Sequence, residues 1–125
     1  MQFKIDTKEL YSVITPAANK IDANLTDALK RKWSELSQMG SGNVLIDLSN
    51  CPEADSTSFN QLLKLHQEVY SSDASIVFTG LSDNILKAFK DEGVDTQLNI
   101  VPTIAEGVDI ISMEKLERDL FGEES

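Results

Sequence analysis

Apolar residues recur along the chain in two alternating rhythms. Short runs of β-branched and apolar residues at 10–14 (Leu-Tyr-Ser-Val-Ile), 44–48 (Val-Leu-Ile-Asp-Leu), 76–79 (Ile-Val-Phe-Thr) and 98–101 (Leu-Asn-Ile-Val) predict strands, and 3–5 (Phe-Lys-Ile) predicts a short first strand. Between these runs the apolar spacing changes to three and four. Leu25, Ala28, Leu29, Trp33 and Leu36 mark one face of a helix between Asp22 and Met39, which Gly40 and Gly42 stop. Phe59, Leu62, Leu63, His66, Val69 and Tyr70 mark a second helix, and Ile85, Leu86 and Phe89 a third that follows Ser82 and closes at Gly93. Thr103-Ile104-Ala105-Glu106 fits a capping box for a fourth, with Pro102 holding Val101 extended before it. A last amphipathic segment carries Met113, Leu116, Leu120 and Phe121 into an acidic end, Gly122-Glu123-Glu124-Ser125.

From Val44 onward strand and helix alternate, an order that calls for a mostly parallel sheet joined by crossovers. Residues 1–14 precede that regular region and are expected to pair at an edge or antiparallel. The expectation is a single α/β domain over residues 1–125, with a mixed, mostly parallel sheet of four to five strands and four to five helices. Its core lies within 10–111, and 112–125 form a C-terminal amphipathic helix and acidic tail. With 125 residues the chain can bury one core without staples, and no repeat, linker or break in composition divides it.

Charge narrows the functional classes. Eleven Lys and Arg stand against 21 Asp and Glu, a net charge of −10, and such a surface repels phosphate backbones and anionic headgroups. No nucleic-acid partner and no membrane insertion are therefore expected, and no uninterrupted apolar run exceeds three residues. The single Cys51 excludes an intramolecular disulfide, and Asp6 interrupts any apolar signal stretch at the N-terminus, so a cytoplasmic location is expected.

Reacting groups on parallel sheets sit beyond the carboxyl ends of strands, where helix amides point outward. After residues 44–48 the chain reads Ser49-Asn50-Cys51-Pro52-Glu53-Ala54, then Asp55-Ser56-Thr57-Ser58, then the second helix. Four residues able to cap a helix in succession exceed what one cap requires. Read structurally they are a generous N-cap. Read functionally, one hydroxyl is exposed at a helix start and takes a phosphate, which would add roughly −1.5 to −2 of charge beside Asp55 and Glu53.

These segments resemble the STAS domain of bacterial anti-sigma factor antagonists. Lys20-Ile21-Asp22-Ala23 is similar to the family's Leu-Asp turn, Val44-Leu45-Ile46-Asp47-Leu48-Ser49 to its signature strand, and Asp55-Ser56-Thr57 to the Asp-Ser-Ser or Asp-Ser-Thr at its second helix. Phe59-Asn60-Gln61-Leu62-Leu63, Val77-Phe78-Thr79-Gly80-Leu81-Ser82 and Gly93-Val94 continue the likeness. The resemblance implies a phospho-switchable interaction module. Its unphosphorylated form binds an anti-sigma factor that is also a serine kinase, phosphorylation at Ser56 releases that partner, and a serine phosphatase reverses the mark. The implied partner surface comprises Asp22, Asp55, Ser56, Thr57 and Ser58. The family usually carries Gly where this chain has Ser58, which leaves Thr57 and Ser58 open as alternative acceptors. A constitutive adaptor, or a subunit of a larger signalling or transport assembly, is the other reading.

Enzyme chemistry finds little support. His66, the sole histidine, lies ten positions after Ser56, about 15 Å along a helix, and its apolar neighbours predict a partly buried, hydrogen-bonded side chain. Cys51 precedes Pro52 and reads as a structural thiol. One Cys and one His make no zinc site, and the glycines form neither a phosphate-cradling loop nor a dinucleotide fingerprint, so no metal or cofactor is expected. A response-regulator receiver would need an acceptor Asp at a strand end, a nearby acidic pair and a Lys after the last parallel strand. Asp47 is read within an apolar strand, and Pro102-Thr103 follows 98–101.

Overall fold

A computed structural model describes residues 2–122. Its sheet has the order β1-β2-β4-β6, formed by β1 (Gln2–Thr7), β2 (Ser12–Ala17), β4 (Val44–Asp47) and β6 (Ile76–Thr79). A separate two-stranded sheet pairs β3 (Lys20–Ile21) with β5 (Glu53–Ala54) in parallel. The helices are α1 (Ala23–Met39), α2 (Phe59–Ser71), α3 (Asp83–Asp91) and α4 (Ile104–Gly122), with a 3₁₀ turn at Ser56–Ser58 ahead of α2.

β1 is antiparallel to β2, whereas β2–β4 and β4–β6 are parallel, so the sheet is mixed as expected. β4 and β6 are buried on both faces and read as nearly continuous apolar runs, while β1, at one edge, alternates Phe3 and Ile5 with Lys4 and Asp6. Side chains one residue apart leave on opposite faces. Ile14, Val44, Ile46, Ile76 and Phe78 meet Leu25, Leu29 and Trp33 of α1, Phe59, Leu62, Leu65 and Val69 of α2, and Ile85 and Phe89 of α3. Val13, Leu45 and Val77 face the other way and pack with Val101 and Ile111, so α4 covers the reverse face alone. Gly107 lets α4 lie close, since a Cβ there would overlap Leu45 Cδ1.

Three predicted elements differ in the structure. β2 begins at Ser12 and runs through Pro16, because its pairing with β4 ends at Ile14 and the missing proline amide falls beyond that ladder. Residues 98–101 make a single bridge, Ile100 to Phe78, with Phe78 N donating to Asn99 O (2.8 Å) and Val101 N to Phe78 O (3.0 Å). The last amphipathic segment is the second half of α4, with no break at residue 112, and its Met113, Leu116, Leu120 and Phe121 are exposed. Residues 123–125 of the expected acidic tail lie outside the described residues.

Local signals account for the helix ends. Asp22 caps α1 by accepting from Leu25 N (2.9 Å), Ser82 caps α3 by accepting from Ile85 N (3.2 Å), and the Thr103 hydroxyl accepts from Glu106 N (3.1 Å). The Thr103 hydroxyl in turn donates to Glu106 Oε1 (3.3 Å), so the carboxylate meets the hydroxyl and not the Thr103 amide that a full capping box would satisfy.

At the edge where the parallel strands begin, Asn43 joins three segments. Its Oδ1 accepts from Ser75 N (2.9 Å) and from Arg118 Nη2 (3.1 Å), and its Nδ2 donates to Leu10 O (3.0 Å). Arg118 Nη1 donates to Ser75 Oγ (2.9 Å), which ties the far end of α4 to the entry of β6.

Candidate functional site

The opposite edge, where β4 and β6 end, carries the loop singled out by its hydroxyls. β4 ends at Asp47, its last paired residue, whose carboxylate accepts from Ser49 N (3.0 Å), so Asp47 stands at the strand end and not in its middle. Gly80, at φ +73°, lets the end of β6 pass against that turn: a Cβ there would lie 2.5 Å from Asp47 Oδ1 and 2.9 Å from Ser49 N.

The loop then crosses to the start of α1 through the β3–β5 pair, in which Lys20 faces Glu53 and Ile21 faces Ala54. Ile21 O accepts from Asp55 N (2.7 Å) and from the Ser58 hydroxyl (3.4 Å). Asp22 and residues 55–58, 33 to 36 positions apart in the chain, are thereby held side by side. Elements of two residues are too short for a period-two signal, and nothing in the sequence marks this small sheet.

Within residues 55–58 the three hydroxyls have different fates. Asp55 Oδ1 accepts from Thr57 N (3.0 Å) and from the Thr57 hydroxyl (2.8 Å), so Thr57 is exposed but engaged. These two bonds hold the Asp55 carboxyl below its usual range, and Lys20 acts in the same direction. Ser58 is 1% exposed and its hydroxyl donates to Asp55 O (2.7 Å). Ser58, one of the alternative acceptors, fills the interior at the start of α2, where a glycine would leave the two carbonyls one donor short. Ser56 is exposed, and no hydrogen bond to its hydroxyl is found among the described residues. The cap also differs from the expected one, since Asp55 caps the 3₁₀ turn and no side chain caps α2 itself.

Around this loop, Ser82 Oγ donates to Pro52 O (2.8 Å) and brings the start of α3 alongside. Ala17, Ala18, Asn19, Lys20, Asp22 and Asn50 border a shallow groove next to Asp22. Cys51 is fully buried beneath the loop, and burial, then the Asp22 charge, push its thiol up, away from nucleophilic use. His66 lies on α2 against the Tyr70 ring, with centroids 4.7 Å apart. Contrary to the hydrogen-bonded side chain expected, its buried Nε2 has no partner among the described residues, and burial lowers its pKa. Tyr70 reaches across to α4, donating to Glu114 Oε1 (2.7 Å). No cluster of three or more His, Cys, Asp or Glu able to hold a metal occurs among the described residues, and none of the helices among them is long and apolar enough to cross a membrane.

The pattern of the STAS domain matches residues 4–107, most of the chain. The protein belongs to the STAS family. No curated protein sequence matches it. Among solved structures, an anti-sigma factor antagonist from Mycobacterium paratuberculosis superposes with a TM-score of 0.72 at 14% identity, covering 89% of this chain and 93% of that one. The Bacillus cell fate determinant SpoIIAA in its phosphorylated form gives a TM-score of 0.60 at 16% identity, covering 88% of this chain and 99% of that one. The murine anion transporter Slc26a9 gives 0.67 at 15% identity, covering 82% of this chain but 18% of the transporter. At these identities the likeness is one of fold, and this STAS domain shares the architecture of anti-sigma factor antagonists.

Proposed function

We propose that this STAS domain is an anti-sigma factor antagonist controlled by phosphorylation of Ser56. The observation that carries the reading is the difference among the three neighbouring hydroxyls: Ser58 is buried and bonded, Thr57 is held by Asp55, and Ser56 is exposed with no hydrogen bond to its hydroxyl among the described residues. Ser56 opens the 3₁₀ turn, beside the half-buried Asp22 and Asp55. Unphosphorylated, this surface and the outer side of α2 dock an anti-sigma factor with serine kinase activity. A phosphate adds about two negative charges next to Asp55 and Glu53 and ends that docking by repulsion and desolvation. A serine phosphatase restores the binding form. The domain acts by association and takes no part in catalysis.

The experiment is phosphorylation by ATP and the cognate anti-sigma kinase, read by intact mass. One added phosphate is expected, absent from Ser56→Ala and retained in Thr57→Ala. A phosphate that persists in Ser56→Ala would refute the assignment. Binding then separates the switch from a constitutive adaptor: Ser56→Asp loses the partner and Ser56→Ala keeps it if the reading holds, whereas an adaptor binds equally through both.

A further inference from the structure

The second half of α4 is amphipathic twice over. One side faces its own domain: Glu114 receives the Tyr70 hydroxyl, and Arg118 reaches Ser75 and Asn43. The other side holds Met113, Leu116 and Leu120, which are 60%, 59% and 55% exposed although they are large and apolar. Their spacing is three and then four, the a, d, a positions of a heptad seam, and Arg118 takes the f position opposite the seam. The positions that flank such a seam are e and g, here Glu117 and Asp119. Further toward the N-terminus of α4 the same side carries Glu106 and Asp109. Lys115 spends its charge inside this set, on Asp119 (2.9 Å), and Glu117 has no salt bridge among the described residues.

We infer that this face of α4 docks an α-helix of a different protein, one that presents apolar a and d residues and Lys or Arg at its own e and g positions. The seam supplies the apolar contact, and the acidic flanks select the sign of the partner. A second copy of this chain fits poorly, because its Glu117 and Asp119 would lie against their equals on a molecule whose net charge is already −10. The surface lies on α4, which covers the reverse face of the sheet from α1, α2 and α3, so it operates independently of Ser56.

The test is a titration of the ¹⁵N-labelled full chain with a synthetic amphipathic helical peptide, leucines at a and d and lysines at e and g, and with a counterpart bearing glutamates at e and g. The lysine peptide is expected to shift amides of residues 113–120, with an affinity that falls at least about tenfold between roughly 0.05 and 0.3 M salt. The glutamate peptide is expected to leave the spectrum unchanged. Replacing Met113→Gln, Leu116→Gln and Leu120→Gln together touches exposed side chains only, so the remaining resonances should stay in place while binding is lost. The titration should be the same in Ser56→Asp, which separates this surface from the proposed switch. The inference is overturned if the lysine peptide shifts nothing, if it shifts scattered acidic residues equally in the triple variant, or if both peptides bind alike. It is overturned equally if sedimentation shows a dimer that the triple variant abolishes, which would make a second copy the occupant.

Discussion

Replacing Asn43→Ala removes three hydrogen bonds at once, but the partners differ in how much they lose. Ser75 is fully buried and its amide has Asn43 Oδ1 as partner, so that N–H becomes an orphan in the interior. Leu10 O still accepts from the Ser41 hydroxyl (2.8 Å), and Arg118 is half-exposed and keeps both water and Ser75 Oγ. The orphaned amide therefore dominates, at about 1–3 kcal/mol, with roughly another 1 kcal/mol for the net worth of the remaining bonds. The sum, about 2–4 kcal/mol, corresponds to a fall in Tm of roughly 8–16 °C at about 4 °C per kcal/mol for a chain of this size. Asn43→Asp is the informative companion, since it keeps an acceptor for Ser75 N and Arg118 and gives up only the donor to Leu10 O. Thermal and urea unfolding followed by circular dichroism should place Asn43→Asp near the parent and Asn43→Ala well below it. Equal losses in the two variants, or a loss under about 1 kcal/mol in Asn43→Ala, would refute the assignment of the cost to the Ser75 amide.

Other consequences can be measured alongside. Ser58→Ala should lower stability by about 1 kcal/mol, a modest figure because Asp55 O and Ile21 O each keep a backbone donor, while Ser56→Ala should leave the melting curve unchanged. Gly80→Ala forces a side chain into left-handed backbone and against Asp47 and Ser49, so a loss of at least about 2 kcal/mol is expected in urea titrations. His66 should titrate below its ordinary 6.5 in NMR, because burial disfavours the imidazolium. Since the unfolded chain then binds the proton more readily, stability contributed by neutral His66 is present above pH 6.5 and falls as the pH drops from there toward the folded-state value, a loss that His66→Phe should remove.

Much of the fold was legible in one dimension because its elements obey simple periods. The helical faces of α1, α2 and α3 and the apolar runs of β4 and β6 are long enough for spacing to speak, and Asp22, Ser82 and Thr103 mark helix starts by type and position. Residues 98–101 have strand composition yet make one bridge, since composition does not report how much partner strand is available. β2 hid its second half behind Pro16, a residue that argues against a strand unless its amide is known to lie past the ladder. At the candidate site, the choice of residues 55–58 came from residue type and resemblance, but the sorting of three hydroxyls into buried, engaged and free depends on Ile21 O, 37 positions before Ser58. Asn43 and Ser75 are illegible for the same reason, since polar residues at strand entries look like loop, and Arg118 looks like a solvated helix face until the fold brings the three into contact.

The β3–β5 pair has a mechanical consequence. By bracing residues 53–55 to the entrance of α1, it settles the shape of this corner before anything arrives, so little conformational freedom remains to be surrendered on encounter. In the proposed switch, a partner would meet a preformed surface, and a phosphate on Ser56 would change its charge without reshaping it.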